Sequence, residues 1–416
     1  MARRPRQRSR GVDRYRDGID NHQLPDRSPD LVGPQSAPAA EFLRLACLTY
    51  GADDPVRWAN ARAILAAQPG LGADSVHVAA ARADGASLRR LLQADPALAT
   101  IEGGPFGWPP LLYLAYARHD PDVTTDAVRD AVGALLEAGA DPDAGYLWHG
   151  HHPPFTALTG AFGEGEGGPG NQPRHPQWEV LARTLLDAGA DPNDEQTLYN
   201  RMFQPDNSYL ELLFEYGLDD AEELALQLGW AVMHGMDERV ALLVRRGVDP
   251  DTEVGGRYEV GRRSAYAAAL VTGHPDTAQL LLRLGASAEL SEQDRVVAAV
   301  LSGDGVDPSE AAAAVAARPG LVAWAADLGR RDAVRRAVEL GWDVNRKART
   351  DVPSDQEWET GLHAAAGNGD VAMVELLLEL GADPAVTDSR FGAVPAQWAE
   401  HFGHGDVASL LSGRSG

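Results

Sequence analysis

The sequence holds a single cysteine, Cys47, in 416 residues. No internal disulfide can form, which excludes a secreted fold stapled by bridges. Lysine is equally rare: Lys347 stands alone, and arginine supplies the remaining basic residues. Aromatic residues make up only 6%, and the 44% hydrophobic fraction is dominated by Ala, Leu and Val. Small side chains of this kind suit short, closely stacked helices better than a wide sheet core. No run of about 18 apolar residues occurs, so no membrane-spanning helix is expected. The pair Arg3–Arg4 is not followed by the apolar stretch of an export signal. A cytoplasmic location is expected, and the excess of Arg, Ala, Gly and Pro suggests a GC-rich bacterial genome.

Positive charge is also in short supply, with 37 Lys+Arg against 61 Asp+Glu and a net charge of −24. Residues 1–36 run the other way, carrying eight arginines against five aspartates and no apolar period. They are expected to form a disordered Arg-rich arm. The acidic remainder repels phosphate backbones, which disfavours nucleic-acid binding except through that arm. Basic or neutral protein partners fit better.

What the sequence does contain is a repeated phrase: a Leu-rich pair, two polar residues, Gly, a small residue, then Asp or a substitute. Its glycines are Gly139, Gly189, Gly217, Gly247, Gly285, Gly341 and Gly381. Seven, four and three residues upstream of each lie apolar residues, as in Val374, Leu377 and Leu378 before Gly381. That spacing makes one helical stripe, which the glycine can end in a left-handed conformation. In four copies a second helix precedes it at fixed distance. Leu228, Tyr266, Val322 and Leu362 lie nineteen residues before the glycine, Ala231, Ala269, Ala325 and Ala365 sixteen before it, and Gly235, Gly273, Gly329 and Gly369 twelve before it. Helix, glycine turn, helix, glycine cap and Asp-containing loop make a unit of about 33 residues.

The segment TGLHAAAGNGDVAMVELLLELGADPAVTD resembles the ankyrin repeat phrase through Thr360, Leu362, His363, Ala365, Gly369, Val374, Leu377, Leu378, Gly381, Ala382 and Asp383, with Gly361 where the family has Pro. A further unit with Pro395 follows, and an early one keeps His77, Ala79, Leu88, Leu91 and Leu92. The resemblance spans roughly residues 74–413 and implies an all-α solenoid of about nine or ten helix-turn-helix units, degenerate in the middle. Residues 37–73, which lack the phrase, are expected to form an N-terminal helical cap. The resemblance also implies that His77 and His363 bridge neighbouring loops, and that the chain binds a protein through a concave repeat surface and its loop insertions.

Departures from the minimal unit mark where the chain differs. About nine extra residues near RHDPDVTTD, and about twelve in GEGEGGPGNQPRHP, lengthen two inter-helix turns. Asn200 and Arg201 stand where small residues are expected, so that unit is irregular. The interval between Gly285 and Gly341 holds one full unit plus a worn helical one, Asp294–Leu301 and Pro308–Ala317.

Chemistry is sparse. His149, His151 and His152 could ligate a metal, but they lack i, i+4 spacing and an adjacent carboxylate or Cys. The Gly163–Asn171 stretch lacks the Lys-Ser/Thr of a phosphate loop and carries Glu164 and Glu166, so it reads as a flexible insertion. Residues Gly303–Glu310 miss the spacing of a calcium loop. Trp230, Trp324 and Trp398 share one first-helix position and are expected to pack, and the Asp residues after each glycine are expected to hold the turns by hydrogen bonds. No catalytic residue, cofactor or metal is expected, and the chain is read as a monomeric, non-catalytic scaffold or regulator. Its partner contacts are expected at loop aromatic and basic residues: Tyr146, Trp148, His149, Arg257, Tyr258, Arg262, Trp342, Arg346, Lys347 and Trp358. Two alternatives are a metal-dependent hydrolase using the 149–152 histidines, and nucleic-acid tethering through the arm.

Overall fold

The computed structural model describes residues 24–51, 53–255, 261–352 and 354–413. The chain divides into two compact units, one up to Glu223 and one from Leu224 on.

In the first unit, α1 (Pro38–Ala46) and α2 (Pro55–Ala67) pack on each other and precede four two-helix repeats. These are α3 (Val76–Ala81) with α4 (Gly85–Ala94), and α5 (Pro110–Tyr116) with α6 (Thr125–Glu137). Next come α7 (Ala157–Phe162), the one-turn α8 (Gly168–Asn171) and α9 (Trp178–Ala188), then α10 (Glu195–Met202) with α11 (Ser208–Glu215). First helices stack in chain order, α3 on α5, α5 on α7 and α7 on α10, and α4, α6 and α9 form a second row. The second helix in each pair shields the apolar stripe of its neighbours, which no pair could bury alone.

The second unit continues from α12 (Ala221–Met233) and α13 (Asp237–Arg245) through α14 (Ala265–Val271) with α15 (Pro275–Arg283) and α16 (Glu292–Ser302) with α17 (Pro308–Ala317). It ends with α18 (Leu321–Asp327) and α19 (Arg331–Glu339), α20 (Gly361–Gly367) and α21 (Val371–Glu379), and α22 (Pro395–His401) and α23 (Gly405–Ser412). Here α18, α20 and α22 make one row and α19, α21 and α23 the other. The worn segment forms α16 and α17, which pair with each other, while α16 lies against α14 and α19.

The glycine caps behave as their spacing predicts. All seven phrase glycines have φ between 91° and 109°, a region costly for any residue with a Cβ. In every case the N–H of the next residue bonds back to the carbonyl five residues earlier, as Ala140 does to Leu135 at 3.0 Å and Ala382 to Leu377 at 2.9 Å. The position after the glycine is turned inward, and Ala140, Ala190, Leu218, Trp342 and Ala382 are all buried. The Asp that follows accepts from the backbone two residues on, as Asp191 does from Asn193 N at 2.9 Å. The residue after that reaches the next loop. Asp143 Oδ1 accepts from Asp191 N at 2.8 Å, and Asn345 Oδ1 from Asp383 N at 2.8 Å. This side-chain ladder ties consecutive repeats together within each unit.

The phrase histidines bridge loops. His77 Nε2 lies 2.9 Å from Ile101 O and His363 Nε2 3.0 Å from Ala393 O, and burial lowers the pKa of both rings. The tryptophans of the shared position pack as expected. Trp230 stacks on His234 with ring centroids 3.9 Å apart, Trp324 Nε1 donates to Thr272 O, and Trp398 Nε1 donates to Asp388.

Two expectations change. The fold is mostly helical but carries short strands where loops are long: β1 (Asp26–Arg27), β2 (Gly145–Trp148), β3 (His151–Thr156), β4 (Glu253–Val254), β5 (Arg263–Ser264), β6 (Ala348–Arg349) and β7 (Ser354–Glu359). The described part of the arm is also ordered. Asp26 and Arg27 pair parallel with Leu147 and Trp148, because the β2–β3 hairpin offers them a free strand edge. Residues 1–23 of the arm lie outside the described residues. No described helix is long and apolar enough to cross a membrane.

Candidate binding site

The β2–β3 hairpin rises from the lengthened loop between α6 and α7, with Gly145 opposite Thr156 and Tyr146 opposite Phe155. Strand alternation turns Tyr146 inward. It is fully buried, 5.0 Å from Trp108 and 5.7 Å from Phe155 between ring centroids, so it belongs to the core and cannot meet a partner. Trp148 stays half-buried and donates its indole N–H to Thr49 O at 3.1 Å. His149 is held by the N-terminal segment: Nε2 lies 2.9 Å from Asp30 Oδ1 and Nδ1 3.1 Å from Ser28 Oγ. With both its ring nitrogens engaged, and His151 and His152 exposed, the three histidines do not assemble a ligand set. Among the described residues no cluster of three metal-binding side chains occurs.

The glycine-rich insertion is not a free loop. Glu164 is buried and ion-paired with Arg174 at 3.1 Å and with Arg201, which is itself fully buried. Arg201 also meets Asp206 at 2.9 Å and lies over the Tyr209 ring. Two charges can share a low-dielectric site only when paired in this way. The large residue that makes this repeat irregular is therefore the partner of the insertion's carboxylate. Buried Arg118 fastens the same segment, donating to Pro173 O at 2.7 Å and to Ala115 O of α5 at 3.0 Å. Burial brings its pKa down to about 10, which leaves it charged at neutral pH.

Hairpin, insertion and α10 together enclose a cavity of about 460 Å³. Its aromatic walls are Tyr50, Trp148, Phe155 and Tyr199. The exposed Glu166 stands at its edge and accepts from Tyr199 Oη at 2.6 Å. Asn200, 3% exposed, lines the wall, and its side chain hydrogen-bonds Tyr50. Of the four described non-glycine residues at positive φ, Tyr50 at 58° lines this space, and His149 at 50° and Glu164 at 59° directly adjoin the lining residues Trp148 and Gly165 in the chain. Each such conformation costs on the order of 1–3 kcal/mol and persists where its surroundings demand it. Of the cavity residues, Trp148 is the one expected from the sequence as a partner contact, and His151 and His152 are the ones considered there as metal ligands. Tyr50, Phe155 and the adjacent Tyr199 and Asn200 come from three separate segments, and the hint the chain gave was the irregularity at Asn200–Arg201.

The remaining candidates lie in the second unit. Trp342 is buried with its indole N–H donating to Arg318 O at 2.7 Å, so it packs and offers no surface. It occupies the position after the capping glycine, filled by Ala in four other repeats. Arg346 pairs with Glu357 at 3.0 Å, and Lys347 Nζ donates to Ser389 Oγ at 3.2 Å. Trp358, on β7, has the guanidinium groups of Arg349 and Arg390 over its ring, at 4.9 and 4.5 Å from its centre. Arg262 is exposed, and Arg257 and Tyr258 lie outside the described residues.

The family model described as ankyrin repeats in many copies matches residues 322–378 and 362–411. No curated protein matches the chain.

Proposed function

We propose, from the premise that the chain belongs to the ankyrin repeat family, that it is a non-catalytic module that binds another protein through the loops lengthened beyond the minimal repeat. Ankyrin repeats generally mediate protein–protein interaction. The observation that carries the reading is the cavity beside the β2–β3 hairpin, where an aromatic wall stays open to a partner instead of being filled by the chain. Binding energy concentrates on such aromatic anchors. The β6–β7 hairpin, with two arginines over the Trp358 ring, is a second contact on this reading, and Arg262, Arg346 and Lys347 contribute at its periphery. The pair α1–α2 acts as a cap for the first repeat, against which α1 packs. A cytoplasmic monomer is the state in which such a module would work.

Affinity capture on the full chain, followed by measurement of stoichiometry, tests the proposal. A partner bound in fixed ratio, and lost from a Tyr199→Ala variant that still folds, is expected. Capture that is non-stoichiometric or indifferent to Tyr199→Ala would overturn it.

A further inference from the structure

We infer that the cavity in the first unit takes a guanidinium or alkylammonium group, presented as an arginine or lysine side chain of the bound protein. The inference deepens the partner-binding reading by naming the chemistry that the hairpin recognises.

The lining contains four aromatic rings and one carboxylate, Glu166, but no arginine or lysine. A phosphate or carboxylate entering it would meet no guanidinium or ammonium group. Two arginines of the same segment are already committed: Arg174 and Arg201 are both paired with Glu164 and Asp206. A cation meets the opposite situation. The electron-rich faces of Trp, Tyr and Phe attract it, and more strongly as water is displaced. Glu166 supplies the counter-charge from a fixed place, because the Tyr199 hydroxyl holds its Oε1. The protein's net charge of −24 adds a long-range bias toward cationic ligands.

Gln196 Nε2 donates to Asn200 Oδ1 at 2.8 Å, and the Asn200 side chain also hydrogen-bonds the Tyr50 hydroxyl, which fixes this part of the wall. The space is larger than one planar headgroup needs, and exposed His151, His152 and Glu166 border it. An aliphatic stem and the peptide bearing it can therefore reach the surface, which favours a side chain on a protein over an enclosed metabolite.

The test is calorimetric titration of the full chain with a blocked Gly-Gly-Arg-Gly-Gly peptide and with its citrulline counterpart, which keeps the shape and removes the charge. The arginine peptide is expected to bind at least tenfold tighter than the citrulline peptide. Glu166→Gln should weaken it at least fivefold and Glu166→Lys should abolish binding. Glu166 is exposed, so both variants should keep the wild-type far-UV circular dichroism and melting temperature. Free arginine amide separates the sources: weaker binding than the peptide supports a protein side chain, while equal or tighter binding overturns that source. Equal affinity for arginine and citrulline, binding unchanged in Glu166→Lys, or no binding at millimolar peptide would each overturn the inference. None of those results bears on capture of a partner by the full chain, so the broader reading stands or falls separately.

Discussion

The two units use the same helix pair in different ways. The second is built from Ala, Val and Leu, with cores such as Val334, Ala337, Leu362, Ala365, Val374 and Leu377, and the family match falls wholly within it. The first centres on aromatics, with Trp108, Tyr113, Tyr116 and Tyr146 all buried and in ring contact along a chain. It also carries the long insertion between α7 and α9, the buried Glu164–Arg201 pair and the cavity. Regular repeats leave little room between stacked neighbours. Where the repeat is broken, larger side chains and inserted chain hold the surfaces apart, and a site can form.

Several measurements can break or sharpen that contrast. Leu377→Ala empties a fully buried position in the regular unit and should cost about 4 kcal/mol. Amide exchange read by mass spectrometry should rise over α19–α23 and stay unchanged around the cavity. Exchange rising equally in both units would mean that they do not differ in this local way. Glu164→Gln attacks the irregular unit instead. It leaves Arg201 buried with only Asp206 opposite, at an expected cost of about 3 kcal/mol, with a Glu164→Gln/Arg201→Met double variant recovering part of it. A double variant worse than the single would contradict the pairing. Asn345→Ala removes one rung of the loop ladder, the bond from Asp383 N, and should cost about 1 kcal/mol in denaturant unfolding.

A further expected effect is a pH dependence. Burial pushes the Asp143 carboxyl up to about 7, well above the value of about 3.9 it has when unfolded. A carboxyl raised by folding contributes stability that is complete below about pH 3.9 and lost as pH rises through about 7. Asp143→Asn keeps the oxygen that Asp191 N bonds and abolishes the titration. Its melting temperature relative to wild type should therefore be more favourable at pH 8 than at pH 5. A difference independent of pH would contradict the assigned shift.

The sequence made the periodic features readable because each is local. The capping glycines, the helical stripes, the loop aspartates and His363 recur at fixed offsets, so seven copies reinforce one another. Trp342 shows the limit of reading residue type alone: a loop tryptophan suggested a partner contact, yet its register is the inward one that Ala140, Ala190 and Ala382 also occupy. Tyr146 was misleading for a related reason, because its direction depends on a strand pairing that no local period announces. The pairing of Asp26–Arg27 with β2 joins two residues to a hairpin more than a hundred positions away. The Glu164–Arg201 pair has the same character. Asn200 and Arg201 were visible as misfits to the repeat, but the carboxylate they answer lies in a segment that composition alone marked as flexible.

If binding occurs where the repeat is broken, hydrogen exchange of the full chain with and without its captured partner should locate it. Protection concentrated over residues 145–172 and 195–200 is the predicted result. Protection confined to the regular repeats at 322–411, with the hairpin and insertion unchanged, would contradict it.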